Sequence, residues 1–269
     1  MDEKVSLESA LAGIERQTEI AAASAKKLLS AVLTARRASV GGDLSAMKKA
    51  LGDAGDMMRV AQLELQNALV AWPFDDEREQ EIFESGEFTR ELIEAAAELG
   101  VTISDEDGQL MCYPSIVRVE STKRMVTIDK KPHRAVRPGV LAAYLRAQQT
   151  RTVRFRPAPF LEALFSAWNY ARHADPRAKG SLRDVPVARI HAVLTVAPGA
   201  AKEYSLQEFG RDLLLLERGS ELVTKKGAEI HFSRSTGSKS GRGIRVVRED
   251  GTPVVYSSIR FTEAGADGS

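Results

Sequence analysis

The 269-residue sequence predicts an α+β protein built from three successive parts. Residues 1–72 form a coiled-coil-like antiparallel helical hairpin. Residues 73–173 form a central mixed α/β segment with an acidic helix and basic strands, and residues 187–263 form a unit that ends in a β-hairpin. Three observations predict this division: a helical repeat on both sides of Gly41-Gly42, short strand-like segments between turn residues, and a helix-capping sequence ahead of two strand-like segments.

The N-terminal hairpin is predicted from two apolar seams whose members are three or four residues apart. The first seam comprises Leu7, Leu11, Ile14, Thr18, Ala21, Ala25, Leu28 and Val32, and the second comprises Leu44, Met47, Leu51, Ala54, Met58, Ala61, Leu65, Ala68 and Trp72. Gly41-Gly42 supplies the turn, and Asp43 is a good helix N-cap. At a rise of about 1.5 Å per residue, each arm is ~45 Å long.

Several apolar residues of the hairpin lie off these seams and need a second surface to cover them. They are Ile20, Leu29 and Leu33 in the first arm and Met57, Val60, Leu63 and Leu69 in the second. Apolar residues in such numbers indicate an interface. We therefore expect residues 1–72 to contact other protein subunits, to self-associate, or to pack on the rest of this chain.

The central segment is predicted from turn and cap residues between short periodic stretches. Pro73 ends the second arm, and an acidic helix follows over 77–99 with a break near Ser85-Gly86. The strand-like segments are Val101–Ser104, Gln109–Val119 and Met125–Asp129, and helices begin at Pro138 and Pro159. Residues 174–186, rich in proline, glycine and charge, form the predicted linker.

The C-terminal unit begins with a helix over 187–196, followed by a helix that opens on the capping box Ser205-Leu-Gln-Glu208. The stretch HFSRSTGSKSGRGIRVV, from His231 to Val247, then has the pattern of strand, loop and strand. This order predicts a winged-helix-like unit, in which the capped helix enters the major groove and the hairpin contacts phosphate. The predicted nucleic-acid-binding residues on the hairpin are Arg234, Lys239, Arg242 and Arg245.

Charge is strongly segregated along the chain, although the net charge is only +1. Residues 75–107 hold thirteen acids against two arginines, whereas residues 118–156 hold eleven basic residues against two acids. Such asymmetry is typical of contact with nucleic acid or with an acidic partner. The basic block provides five further predicted nucleic-acid-binding residues, Lys123, Arg124, Lys130, Lys131 and Arg134. The alternative is that the two blocks neutralise each other in the fold.

Composition and missing motifs narrow the function classes. The single cysteine, Cys112, rules out an internal disulfide and fits a reducing cytosol. No apolar run approaches the roughly 18 residues of a membrane span, and the polar N-terminus is unlike a secretory leader, so we expect a cytoplasmic bacterial protein without membrane contact. The motifs GxxxxGK[ST], GxGxxG and GxSxG are absent, and the four histidines are scattered. We therefore predict no cofactor, no metal site and no catalytic residue.

One enzymatic interpretation remains. The segment Val126-Thr-Ile-Asp129-Lys130-Lys131 carries a strand-borne D-x-K pattern, in which an acid and a lysine can hold a divalent ion and an attacking water. In these residues the chain resembles the PD-(D/E)xK nucleases. The resemblance implies a first acid on or before the preceding strand, a place that Asp107 would fill, with Glu94 or Glu98 on the helix before it. No proline precedes Asp107, and the alternative is a strand that ends in solvated charges.

These observations together predict a non-enzymatic accessory or adaptor subunit of a bacterial multiprotein assembly that acts on nucleic acid. The hairpin supplies protein contacts in this hypothesis, and the basic surfaces supply DNA contact. The first alternative is a metal-dependent PD-(D/E)xK-like nuclease. The second is a purely structural protein-interaction module whose basic block binds an acidic partner.

Overall fold

The computed structural model describes residues 5–151, 155–174, 184–235 and 243–263. The chain divides into two compact units, of which the first comprises Met1–Ala95, Glu120–Arg124 and Ala135–Leu141 and the second comprises Ala96–Val119, Met125–Arg134 and Ala142–Ser269. The predicted α+β class is confirmed, with long N-terminal helices, a five-stranded antiparallel sheet and a second sheet. Among the described helices, none combines the length and the apolar character needed to span a membrane.

The first unit is dominated by an antiparallel pair of long helices. Helix α1 spans Leu7–Gly41 and helix α2 spans Leu44–Val70. Gly42 has a φ of 75°, a left-handed conformation that glycine adopts without strain, and its N–H donates to the last turn of α1. The Asp43 carboxylate accepts a hydrogen bond from the Ala46 N–H and so caps α2. The predicted helices, turn and cap are therefore present.

The seam between α1 and α2 differs from the predicted one at several positions. The buried alanines are Ala10 and Ala35 in α1 and Ala50, Ala54 and Ala68 in α2. The predicted seam residues Leu51, Met58 and Leu65 are instead 54%, 56% and 55% exposed. Alanine lets the two helices approach closely, and a shift by one residue turns a side chain by about 100° around the helix. The prediction is therefore wrong at these three positions, and also at Leu44 and Val32, which are 66% and 47% exposed.

Two acidic helices follow the hairpin. Helix α3 spans Asp76–Glu84 and helix α4 spans Glu87–Glu98, so the predicted break near Ser85-Gly86 is confirmed. The Glu91 carboxylate of α4 accepts hydrogen bonds of 2.9 and 3.0 Å from the first two N–H groups of α1. Because a helix leaves its first N–H groups unpaired and positively polarised, this carboxylate stabilises the start of α1.

Five short strands form an antiparallel meander. They are β1 (Ser104–Glu106), β2 (Gln109–Cys112), β3 (Ser115–Glu120), β4 (Met125–Ile128) and β5 (Lys131–His133), with a 3₁₀ turn at Ser121–Lys123 between β3 and β4. Neighbours in the sheet are neighbours in sequence. Successive turns of a meander lie at opposite ends of the sheet. The β2–β3 and β4–β5 turns therefore share one end, and the β1–β2 turn lies at the other.

The second sheet and its helices follow. The remaining elements are α5 (Pro138–Thr150), α6 (Pro157–His173), β6 (Val185–Pro186), α7 (Val187–Leu194), α8 (Ala200–Glu203), α9 (Leu206–Arg218), β7 (Ala228–Ser235), β8 (Ile244–Val247) and β9 (Pro253–Glu263). Strand β9 pairs antiparallel with β6, β7 and β8. Apolar residues of α6, α7, α9 and this sheet form the core of the second unit, with Trp168, Phe209 and Tyr256 among the buried aromatic residues.

Helix α9 contacts strand β8 directly at Gly210. A Cβ atom on Gly210 would lie 2.5 Å from Ile244 Cγ2 and 2.7 Å from Val246 Cγ1, both far closer than van der Waals contact. Both neighbours are β-branched, so their side chains have few alternative rotamers. The missing side chain therefore sets the distance between α9 and β8.

We expect Gly210→Ala to lower the free energy of unfolding by about 1–3 kcal/mol, because the added methyl group overpacks the α9–β8 contact. The matched control is Gly52→Ala in α2, where no atom lies within 4 Å of the new Cβ. There the same change should raise stability by about 0.5–1 kcal/mol, since alanine is the better helix former. Urea denaturation measures both values. Equal effects of the two substitutions would contradict direct packing at Gly210.

Candidate functional site: a polar pocket beside helix α9

A polar pocket of about 280 Å³ lies at one end of the five-stranded sheet, next to the start of α9. Four segments of the second unit line it: the β2–β3 turn, the β4–β5 turn with β5, the end of α5, and the first two turns of α9. Each segment contributes polar or charged side chains. Clefts that collect such groups are the usual place for binding chemistry, so this pocket is the candidate site.

The β4–β5 turn places Asp129 in the wall of the pocket. Asp129 and Lys130 have φ values of 50° and 67°. Because Ile128 pairs with Lys131, these two residues form a two-residue type I′ turn. The Asp129 N–H donates to the Ile116 carbonyl, and Asp129 Oδ1 accepts from the Ile116 N–H, each at 2.9 Å. The turn is thus held on β3 by both its backbone and its carboxylate.

Burial dominates the electrostatics of Asp129. It raises the pKa of the Asp129 carboxyl above the usual value. Hydrogen bonds from a backbone N–H and from Ser115, and the charges of Arg211 and Lys131, oppose this rise without cancelling it. Burial, together with the charge of Asp129, also raises the pKa of the Cys112 thiol to about 12. Cys112 is therefore an inert core thiol, and Asp129 is the group whose ionisation the pocket disfavours.

The capping box of α9 holds a second carboxylate at the pocket. The Ser205 N–H and hydroxyl donate to Glu208 Oε2 at 2.8 and 2.6 Å, and the Glu208 N–H donates to Ser205 Oγ at 3.2 Å. This is the capping box predicted from the sequence. Burial alone would raise the pKa of Glu208, but the Ser205 hydrogen bonds and the charges of Lys131 and Arg211 lower it overall. Glu208 is therefore ionised and engaged at the start of α9.

Arg211 lines both this pocket and an adjoining cavity of about 320 Å³. In that cavity the Tyr204 hydroxyl donates to Asp212 Oδ2 at 2.7 Å. Burial raises the pKa of Asp212, with Tyr204 and Arg211 acting against the rise. Among the described residues, Arg211 Nε is buried and has no hydrogen-bond acceptor. A buried guanidinium N–H favours an acceptor, which water or a bound anion can provide.

Helix α9 does not have the fully exposed face of a free recognition helix. From Leu206 to Glu217 every residue is buried or half-buried, and Arg218 is the first exposed one. Gln207 Nε2 donates to the Arg245 carbonyl at 2.7 Å. A helix that reads the major groove needs an exposed face of polar side chains. Burial of α9 therefore weakens the case for the predicted entry of this helix into the major groove, which stays a prediction.

The predicted phosphate contacts on the β7–β8 connection fall on both described and undescribed residues. Lys239 and Arg242 lie outside the described residues. Arg234 donates to the Glu217 carboxylate of α9 through Nε, at 3.0 Å, and through Nη2. Arg245 is half-buried. A phosphate would have to compete with Glu217 for Arg234, which weakens the case for phosphate contact at this end of the unit.

The five predicted residues of the basic block fall into two groups. Lys123 and Arg124 belong to the first unit, where Arg124 pairs with two acids of α3, Asp76 and Glu79. At Arg124, this contact supports the alternative in which the acidic block and the basic block neutralise each other. The other three, exposed on or next to the β4–β5 hairpin of the second unit, are Lys130, Lys131 and Arg134. These three cations lie at or beside the pocket, and Lys123 is likewise exposed in the first unit.

Two acids of the nuclease interpretation, Asp107 and Asp129, are not brought together. Asp129 lies in the β4–β5 turn, whereas Asp107 lies in the β1–β2 turn at the opposite end of the sheet. Glu208, the other carboxylate of the pocket, is engaged by Ser205. Among the described residues, no group of three His, Cys, Asp or Glu side chains is placed to hold a metal ion. The geometry therefore gives no support to a D-x-K metal site at Asp129 and Lys131.

The pocket is interpreted from its own chemistry. Comparison of the chain with protein-family models, with curated proteins and with solved structures finds no match. Lys131, Arg151 and Arg211 reach the pocket from three different segments, while the carboxylates of Asp129 and Glu208 already accept hydrogen bonds. This arrangement suits the binding of an anionic group such as a phosphate.

Sequence reasoning identified Asp129, Lys131 and the capping box but missed Ser115, Arg151 and Arg211 as members of one site. The three missed residues lie in separate elements and are of types common on protein surfaces. The local sign that existed was the spacing of Glu208 and Arg211 on the first turns of a capped helix. Their convergence depends on strand registers and on helix packing, which no local motif reports.

We expect Asp129→Asn to gain stability relative to the wild type as the pH rises from about 4 to about 8. A carboxyl whose folded pKa is raised contributes stability below its unfolded pKa, and that stability is lost as the pH rises through the folded value. Asparagine keeps an acceptor for the Ile116 N–H and tolerates the positive φ, but it does not ionise.

The contrasting variant is Asp129→Ala, which leaves the Ile116 N–H without an acceptor. It should be about 1–3 kcal/mol less stable than the wild type throughout this range. Urea denaturation at several pH values measures both variants. If Asp129→Asn instead lost stability relative to the wild type as the pH rose, the ionised carboxylate would be favourable and the pKa direction wrong.

Proposed function

We propose that the chain is a non-enzymatic accessory subunit of a bacterial multiprotein assembly that acts on nucleic acid. The α1–α2 hairpin supplies protein contacts, and cations of the second unit contact the phosphate backbone. The observation that carries the proposal is the convergence of Lys131, Arg151 and Arg211 on one pocket. Cations collected from separate segments create the local positive potential that attracts a phosphate backbone.

The order of elements in the second unit supports this role. Helix α6, strand β6, helices α7 and α9, and strands β7 and β9 follow one another along the chain, and the sheet order is β6–β9–β7. This arrangement favours a winged-helix-like architecture, which in this proposal begins at α6 rather than at residue 187. Since α9 is covered, the unit contacts nucleic acid through the cations around the pocket and not through a groove-reading helix.

Phosphate contact is proposed at the pocket rather than at the β7–β8 connection. Lys130, Lys131 and Arg134 are exposed, whereas Arg234 is paired with Glu217. A cation that already has a partner gains less from a phosphate, because the first partner must be displaced. Contacts with phosphate carry no sequence information, so binding is expected to be independent of sequence.

The triple variant Lys130→Gln, Lys131→Gln and Arg134→Gln should bind mixed-sequence nucleic acid more weakly. Its plot of log affinity against log salt concentration should be flatter by about three units, since each lost phosphate contact releases roughly 0.9 fewer counterions. Fluorescence anisotropy with labelled duplex and single-stranded DNA, over a series of salt concentrations, measures the slope.

Two further variants make this test specific. Lys225→Gln with Lys226→Gln removes an exposed lysine pair in the turn before β7 and should leave the slope unchanged. The second variant replaces four residues by serine, namely Arg234, Lys239, Arg242 and Arg245. A slope that collapses in this second variant alone would move the surface to the β7–β8 connection. No binding at low salt by the intact protein would instead favour the protein-interaction module, and metal-dependent cleavage lost in Asp129→Ala would favour the nuclease.

A further inference from the structure

The α1–α2 hairpin carries a second apolar repeat beside its buried seam. In α2 this repeat comprises Leu44, Lys48, Leu51, Gly55, Met58, Gln62, Leu65 and Leu69. Its steps of four and three residues are those of a helix that packs along its whole length on another helix. The five large apolar members in α2, and Leu29 and Val32 in α1, are between 47% and 73% exposed. We call these seven residues, with the small residues between them, the apolar face.

The members from α1 and α2 lie on the same side of the hairpin. Each of them comes one residue after a position of the seam. This places it about 80–140° around its helix from the centre of the seam. Because the two helices are antiparallel, the same sense of rotation from the seam leads to the same side of the pair. The two helices therefore present one continuous surface.

The apolar face is large enough for a stable protein–protein interface. Between Leu44 and Leu69 it extends ~38 Å along the hairpin, and two adjacent helices are ~20 Å wide. Covering such a strip removes on the order of 700–800 Å² of surface from each partner, which is the size of an ordinary stable interface. A partner of the same length covers it completely.

The charges of the hairpin are complementary to those of a second hairpin that runs in the opposite direction. The end near the turn, residues 34–51, contains four Lys and Arg against one Asp, and the end near the base, residues 7–23 and 62–70, contains four Glu against one Arg. Arg137 pairs with two of these glutamates, and the base end remains net acidic through the other two. An opposed copy places positive ends on negative ends, whereas a copy in the same direction places like charges together.

Near the middle of the face, the side-chain sizes also match those of an opposed copy. With a two-fold axis across the middle of the hairpin, α1 faces α1 of the other copy and α2 faces α2. Met58 then lies opposite Gly55, and Leu44 lies opposite Leu69. In α1, Val32 lies opposite Ala25. Large residues facing small ones near the axis allow the helices to approach and interdigitate.

We propose that the apolar face binds a second copy of this chain in the opposite orientation, so that two hairpins form a four-helix bundle. Helices of a bundle are apolar at the seam and on one flank, whereas a two-stranded coiled coil is apolar at the seam alone. Because both copies use the same surface, the interface closes on itself at the dimer. The inference rests on the part of the proposed function that assigns the hairpin to protein contact, and it names the partner.

Analytical ultracentrifugation of the full chain tests the dimer. The wild type should sediment as a dimer at micromolar concentration. Leu51→Glu with Met58→Glu should raise the dissociation constant by roughly 100-fold or more, because carboxylates would be buried in the interface, and it should leave the far-ultraviolet circular dichroism unchanged. The matched control is Val60→Glu with Leu63→Glu, two residues of α2 that are 50% and 55% exposed on the other flank of the seam. This control should remain a dimer.

Cysteine cross-linking tests the orientation and does not rely on a disruptive variant. Cys112 is buried, so an introduced surface cysteine reports its own surroundings. Leu29→Cys, near the proposed axis, should form a disulfide-linked dimer on oxidation. Leu44→Cys should link to Leu69→Cys in a mixture of the two variants and should not link to itself.

Three results would overturn the dimer: a monomeric wild type, equal dissociation of the two glutamate variants, or efficient self-linking of Leu44→Cys. The test is independent of nucleic-acid binding. A monomer that binds nucleic acid with the expected salt slope rejects the dimer and retains the proposed function. A dimer that does not bind nucleic acid supports the dimer and rejects the proposed function.

Discussion

Direct packing of α9 on β8 at Gly210 is the contact on which the second unit depends. It holds the helix at a distance that any side chain would prevent, and Glu208 and Arg211 then reach the sheet turns. The Ser205 cap determines where the helix starts, and the Asp129 turn is tied to β3 through its backbone and its carboxylate. Because backbone contacts hold the Asp129 turn and α9 in place, Lys131 and Arg211 lie at one pocket without an ion pair that positions them.

Ion pairing decides which cations the protein can offer to a partner. Arg124 and Arg137 contact acids of the first unit, and Arg234 contacts Glu217. Such surface pairs add at most about 1 kcal/mol each to stability. Their larger consequence is that they occupy cations that the sequence alone would assign to phosphate. The segregated charge of the chain is thus partly neutralised within the first unit and partly displayed on the β4–β5 hairpin.

The hairpin contains two apolar repeats with the same period, and their residue sizes differ. The repeat that includes Ala50, Ala54 and Ala68 is buried between α1 and α2, since small side chains let the helices come close. The repeat that includes Leu51 and Met58 is left outside. A hairpin that buries alanines at its seam and exposes Leu51, Met58 and Leu65 keeps apolar surface for a further contact. An opposed second copy satisfies both its charge and its shape.

The sequence by itself determined the α+β class, the turn at Gly42 and the caps at Asp43 and Ser205, because these signals are local hydrogen-bonding and backbone preferences. It also located the basic block, but not the pairing that removes Arg124 from it. Only the tertiary structure decided which apolar repeat forms the α1–α2 seam, since both repeats have the same spacing and the close approach of alanines distinguishes them. The tertiary structure likewise determined which side chains line the pocket. Arg211 reaches the β4–β5 turn through strand register and helix packing, and these act between segments far apart in the chain.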